Sequence, residues 1–200
     1  MLSDPTVLIL MYFILPLWLI AGFADWLCHR ASHIESTTGA KESVIHLLMF
    51  AEVGIPLLAA MFLEINALII ATMLVAFTLH EATAMWDVSY ATTARTVSPI
   101  EQHVHSFLEM IPLMGIVNVV SLHWGQFQAL FGYGDEPARF ELAWKPEPLP
   151  VAYIATIMIL VLLFGVLPYL EEFVRGLSAN GWKLIPEKAS RAKSGSTTRR

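Results

Sequence analysis

Long apolar runs separated by short polar stretches make up most of this chain. Val7–Ala24 is uninterrupted, Leu47–Leu63 is broken only by Glu52, and Ile65–Leu79 follows almost at once. Phe107–Leu122 contains Glu109, and Leu149–Leu170 is long and clean. A membrane helix needs about 20 largely apolar residues. Each run therefore predicts a spanning helix, with helical flanks completing the shorter ones. Pro16, Pro56, Pro112 and Pro168 lie inside the runs and predict kinks rather than ends, as membrane helices tolerate. The short Glu64–Asn66 connection predicts a tight antiparallel hairpin. The expected fold is an all-α integral membrane protein of about five transmembrane helices.

Composition agrees. Hydrophobic residues are 56% of the 200 and charged residues 14%, against about 25% charged in a soluble domain. One soluble core cannot hide that much apolar surface. The N-terminal flank carries Asp4 and no Lys or Arg, unlike a signal peptide, so the first run is expected to stay as an anchor. The single cysteine, Cys28, excludes an intrachain disulfide.

Lys and Arg placement sets the expected orientation. With the N-terminus outside and the C-terminus in the cytoplasm, ten cations fall inside (Arg30, Lys41, Arg95, Arg175 and six after Gly176). Only Arg139 and Lys145 fall outside. The inner membrane of a bacterium is the expected location. The outer loop from Trp124 to Pro148 carries Trp124, Phe127, Phe131, Tyr133, Phe140 and Trp144, an expected interfacial belt. Residues 1–175 are expected to form the membrane domain, and 176–200 a disordered basic tail. The net charge is −5, but that tail carries +5, so the membrane domain holds −10.

The deficit has a location. Six of the seven histidines (His29, His33, His46, His80, His103 and His105) fall at the predicted inner boundary, and only His123 lies at the far one. Asp25, Glu35, Glu42, Glu81, Asp87, Glu101 and Glu109 share that layer, opposed nearby only by Arg30, Lys41 and Arg95. Seven partly desolvated carboxylates repel, and bound metal is the economical source of positive charge. Asp25, His29 and His33 are spaced i, i+4, i+8, as are Glu101, His105 and Glu109. Glu42 and His46 are i, i+4, and His80 and Asp87 are seven apart. On helices these intervals place each set on one stripe, and converging stripes are how helix bundles build carboxylate/histidine dimetal sites.

The expected metal residues are Asp25, His29, His33, His46, His80, His103, His105 and Glu109. Glu42, Glu52, Asp87 and Glu101 are expected as supporting or alternative ligands. Glu52 lies about 9 Å deeper than His46 at 1.5 Å per residue. Imidazole and carboxylate ligands suit iron, manganese or zinc.

Asp25-Trp-Leu-Cys-His29-Arg30-Ala-Ser-His33 resembles the D-x3-H-R-x2-H element of the fatty acid hydroxylase/sterol desaturase superfamily. Ser98-Pro99-Ile-Glu-Gln-His103-Val-His105 is similar to its later proline-then-histidine element, and His80 sits where that family places a further histidine. The HxxHH blocks are absent, and the second region offers Glu42 and His46 instead. The resemblance implies a cytosol-facing centre of two iron ions that hydroxylates or desaturates lipid, with His29, His33, His80, His103 and His105 as ligands. An external electron donor is then required, since the chain carries no flavin or ferredoxin motif. Nucleic acid is not an expected partner.

Three other classes fit parts of the pattern. A metal transporter or sensor would use the same ligands, but deep polar residues are few. A haem cytochrome would use paired histidines, though C-x-x-C-H is absent. An HExxH protease fails at Ala84, and GxSxG is absent.

Overall fold

A computed structural model of the protein describes residues 4–186. The fold is all-α, and five helices are long and apolar enough to cross a membrane. They are α1 (Pro5–Ala31), α3 (Ala40–Phe62), α4 (Ala67–Ala91), α5 (Pro99–Leu122) and α7 (Val151–Ala179). Two short helices, α2 (Ile34–Thr37) and α6 (Trp124–Leu130), lie in connections. The expected apolar runs match these helices but stop short of their ends. The chain stays helical through the polar flanks, so α3 begins seven residues before Leu47, α4 ends twelve after Leu79, and α5 begins eight before Phe107. Those extensions carry four of the seven histidines, His46, His80, His103 and His105, and with them Glu42, Glu81, Asp87 and Glu101.

The five helices close a ring. α1 packs on α5 and α7, α3 on α4 and α7, and α4 on α5. Trp18, Leu19, Met61, Leu108, Ile111 and Ile157 form the buried centre. Facing outward are Ile20 (65% exposed), Ile55 (63%) and Val75 (61%), the inverse of a soluble surface and the pattern lipid requires.

All four prolines lie inside helices, as expected. Pro16 and Pro168 each follow a widened π-helical turn, Leu10–Ile14 and Leu162–Val166. A proline lacks the N–H that would tie its turn to the preceding one, and a π turn absorbs the mismatch. The Met11 carbonyl in the first such turn accepts instead from the Tyr153 hydroxyl at 2.9 Å.

The α3–α4 turn is as tight as the sequence implies. The Asn66 side chain caps α4 by accepting from the Leu68 and Ile69 N–H groups. The connection after α6 docks on this turn: Glu64 N–H donates to Ala143, Lys145 N–H to Phe62, and Leu68 N–H to Arg139. Buried Gln126 accepts from the Ala67 and Arg139 N–H groups. Trp124, Phe131, Tyr133, Phe140 and Trp144 are exposed around this end, while Phe127 packs inward.

The expected domain boundary at 176 differs from the structure. Gly176 is buried in α7, and the Leu184 carbonyl accepts from Lys41 N–H at 3.0 Å. A Cβ at Gly176 would lie 2.9 Å from the Ala40 backbone, so glycine lets α7 and α3 touch there, the small-residue contact common between membrane helices. The remainder of the expected disordered tail, 187–200, lies outside the described residues.

Candidate metal centre

The polar extensions of α1, α3, α4 and α5 meet α7 at one end of the ring. Asp25, His29, Glu42, His46, Asp87, Glu101 and Glu172 are all buried there. His29 and His46 stack, with ring centroids 4.3 Å apart and planes within 10°. Glu172 on α7 joins them: one oxygen lies 2.9 Å from His29 Nδ1 and the other 2.8 Å from His46 Nδ1. An ionised carboxylate only accepts, so both Nδ1 atoms donate, and in the neutral rings both Nε2 atoms present a lone pair. This is how carboxylates orient metal-binding imidazoles.

Those lone pairs converge. His29 Nε2 is 3.5 Å from Asp25 Oδ1, His105 Nε2 is 2.8 Å from the same oxygen, and His46 Nε2 is 3.2 Å from Asp87 Oδ1. Yet Asp25 Oδ1, Asp87 Oδ1, His29 Nε2 and His46 Nε2 all lack a hydrogen bond of acceptable geometry. Buried polar atoms are nearly always satisfied, and here the orphans are donors of the kind that bind cations. Two groupings have ligand atoms mutually close enough to hold an ion: Asp25/His29/His105 and His29/Glu42/His46.

Charge points the same way. Arg95 bridges Glu42 and Glu101, and those carboxylates hold its guanidinium pKa well above the ordinary value against the opposing effect of burial. Glu101 also closes a capping box with Ser98 at the start of α5. With neutral imidazoles, Arg95 leaves four of the five buried carboxylates (Asp25, Glu42, Asp87, Glu101, Glu172) unmatched. Buried uncompensated charge is costly, and either bound cations or protonated histidines would balance it.

An outer layer closes the end. Glu171 accepts from Trp26, Arg30 and Arg175, and Arg175 also pairs with Glu35. A cavity of about 40 Å³ beside the cluster is lined by Asp25, His46, Asp87, His105, Trp18 and Tyr169, among others. Tyr169 is buried between His46 and Phe50.

Several expected ligands fall elsewhere. His33 leaves the stripe because α1 ends at Ala31 and His33 itself turns left-handed, with φ 51°. Its side chain is 75% exposed and pairs with Glu35. His103, two residues from His105, lies on the opposite side of α5 and packs its exposed ring on Phe107. His80 is buried and lines the same cavity, but its nearest acid is Glu52 at 3.9 Å, and it joins neither grouping. Glu109 also lines the cavity without joining a grouping. Glu52 sits deeper and accepts from Thr83 at 2.9 Å.

Glu172, Tyr169 and the clamping role of Arg95 escaped the sequence reading. The available signal was Tyr169, Glu172 and Gly176 at i, i+3 and i+7, one face of a helix. No protein-family model matches the chain, and no curated protein or solved structure is significantly similar to it.

Proposed function

We propose that the chain is an integral-membrane, non-haem oxidative enzyme that holds two iron ions and hydroxylates or desaturates a lipid or other hydrophobic substrate. The observation that carries this reading is the set of orphaned donors, His29 Nε2, His46 Nε2, Asp25 Oδ1 and Asp87 Oδ1, with both histidines fixed from behind by Glu172. Asp25, His29 and His105 would hold one ion. His46 and Asp87 would hold the second, with Glu42 as an alternative ligand. Manganese and zinc satisfy the same donors. Iron is favoured because the resemblance at Asp25–His33 implies oxygen chemistry and because the adjoining cavity is walled by Trp18, Leu19, Phe50, Val53 and Leu108.

The bound ions would supply the activation of dioxygen for attack on an unactivated C–H bond. Hydroxylation consumes one dioxygen, two electrons and two protons per alcohol and water formed. The electrons come from an external one-electron donor. The protein's own part is orientation and exclusion of water. Glu172 holds the two Nδ1 protons, and Arg95 holds Glu42 and Glu101. Trp18, Phe50 and Leu108 keep the substrate side apolar. Glu109 lines the cavity at the partly exposed rim, where a carboxyl can pass a proton inward.

In this reading the cluster end faces the cytoplasm, following Arg30, Lys41, Arg95 and Arg175. A cation pathway needs polar groups across the bilayer. The larger cavity leading away from the cluster has charged or imidazole groups only at its ends, Glu52 toward the cluster and His123 with Lys145 at the far mouth.

The test is catalytic. Purified protein loaded with ferrous iron, given a chemical reductant and a membrane lipid extract, is exposed to isotopically labelled dioxygen. Labelled oxygen in a lipid alcohol, or a new double bond with labelled water, is the expected result. Unchanged lipid under every reductant and metal tried would refute the oxidative reading.

A further inference from the structure

The larger cavity, about 210 Å³, runs between α1, α3, α4 and α5 away from the cluster. Leu10, Ile14, Leu57, Met73 and Ile116 give it an apolar wall. Trp18 and Val53 line both this cavity and the one beside the cluster, so only those side chains stand between the two spaces. From His123 at the far mouth to His105 in the cluster is eighteen residues of α5, about 27 Å at 1.5 Å per residue. That is close to the thickness of a hydrocarbon core, about 30 Å.

The two ends of this passage differ in charge. At the far mouth the half-buried Lys145 ammonium makes no hydrogen bond or ion pair with a described side chain. Its nearest acid, Glu64, is already bound by Arg139 at 2.6 Å. Burial lowers the Lys145 pKa, and burial together with Lys145 and Arg139 lowers that of His123. Lys145 is thus a cation short of a counter-charge, and His123 is a neutral imidazole at pH 7 whose ring N–H can donate a hydrogen bond. At the other end Glu52 keeps one oxygen unpartnered, and the carboxylate cluster lies beyond it. An anionic end group is therefore attracted to Lys145 and repelled from Glu52.

We propose that this passage binds a long-chain free carboxylic acid with its carboxylate at Lys145 and His123 and its chain running past Trp18, methyl end toward the Asp25–His105 cluster. The inference deepens the oxidative reading by naming its substrate class, and it rests on that reading only for what happens at the methyl end. Oxidation would then fall near the chain terminus, not beside the carboxylate.

Binding can be read without catalysis. Palmitic acid brominated at its methyl end, or beside its carboxylate, is titrated into the full-length protein in mild detergent. Quenching of Trp18 fluorescence is taken as the difference from Trp18→Phe. Saturable quenching by the methyl-end bromine, and little by the other, is expected. Lys145→Gln should weaken the acid about tenfold or more, the scale of a lost charged hydrogen bond, and leave the matching long-chain alcohol unchanged.

Gly115 lines the passage, and a Cβ there meets only Ile14, at 4.0 Å. Gly115→Leu should therefore abolish binding of both acid and alcohol. Equal weakening of acid and alcohol by Lys145→Gln overturns the inference. So does stronger quenching by the carboxylate-end bromine, or tight binding in Gly115→Leu. Failure of the oxidative reading would leave all of these binding results in place and remove only the product.

Discussion

Glu172→Gln is the sharpest perturbation of the centre, because it changes one atom and two imidazoles. The carboxylate accepts from His29 Nδ1 and His46 Nδ1 with separate oxygens, at 2.9 and 2.8 Å. A carboxamide offers one acceptor oxygen and one NH2 donor. One histidine keeps its partner, while the other meets a donor and must change tautomer, which puts a proton on its Nε2 and removes that lone pair from the centre. Loss of such a supporting carboxylate typically lowers metal affinity 10–100-fold, about 1.4–2.8 kcal/mol at 1.4 kcal/mol per tenfold. Glu172→Ala leaves both Nδ1–H groups unsatisfied and should cost more. The assay is an anaerobic ferrous iron titration of metal-stripped protein in competition with a chromogenic chelator. Glu171→Gln is the control, since that carboxylate is more exposed and holds Trp26, Arg30 and Arg175 instead. Wild-type affinity in Glu172→Gln, or the same loss in Glu171→Gln, would refute the role given to Glu172.

Other outcomes follow from the same geometry. His33→Ala and His103→Ala should keep full metal content, since both rings are exposed and apart from the cluster; elemental analysis checks this, and loss in either would restore it as a ligand. Gly176→Ala should destabilise the protein by about 1–3 kcal/mol, the usual cost of overpacking. Its Cβ meets Ala40 backbone at 2.9 Å, one turn beyond Glu172, so thermal unfolding in detergent should shift down and iron affinity should fall with it. Arg95→Met should leave Glu42 and Glu101 facing each other without their shared cation. The expected consequence is the 3–5 kcal/mol typical of breaking a buried ion pair, or failure to accumulate as folded protein, read by gel filtration in detergent.

Much of this architecture is legible in the residues. The apolar runs locate five helices, the Glu64–Asn66 turn locates the hairpin, and the i, i+4 pairs Asp25/His29 and Glu42/His46 locate two walls of the centre. Helix ends were harder to read, because hydropathy stops where polar residues begin while backbone hydrogen bonding does not. Closing the last run at Leu170 hid Glu172, which rides on the same helix and reaches inward. Periodicity alone keeps His33 in the stripe by continuing the helix, but the chain turns left-handed there. His103 fell to simple angular geometry, since two residues on a helix cannot both face one centre. Arg95 was visible only as a loop cation. That it is drawn between Glu42 and Glu101 depends on how the ring places the starts of α3 and α5, which local sequence does not encode.

The central claim is that the buried donors hold metal, and elemental analysis of protein purified in mild detergent after growth with iron tests it most directly. His29 belongs to both ligand groupings. Wild type should carry two equivalents of iron, and His29→Ala should lose the ion that His29 shares with Asp25 and His105 while remaining folded. A metal-free wild type that takes up no ferrous iron on reconstitution would contradict the account, as would full metal retention in His29→Ala.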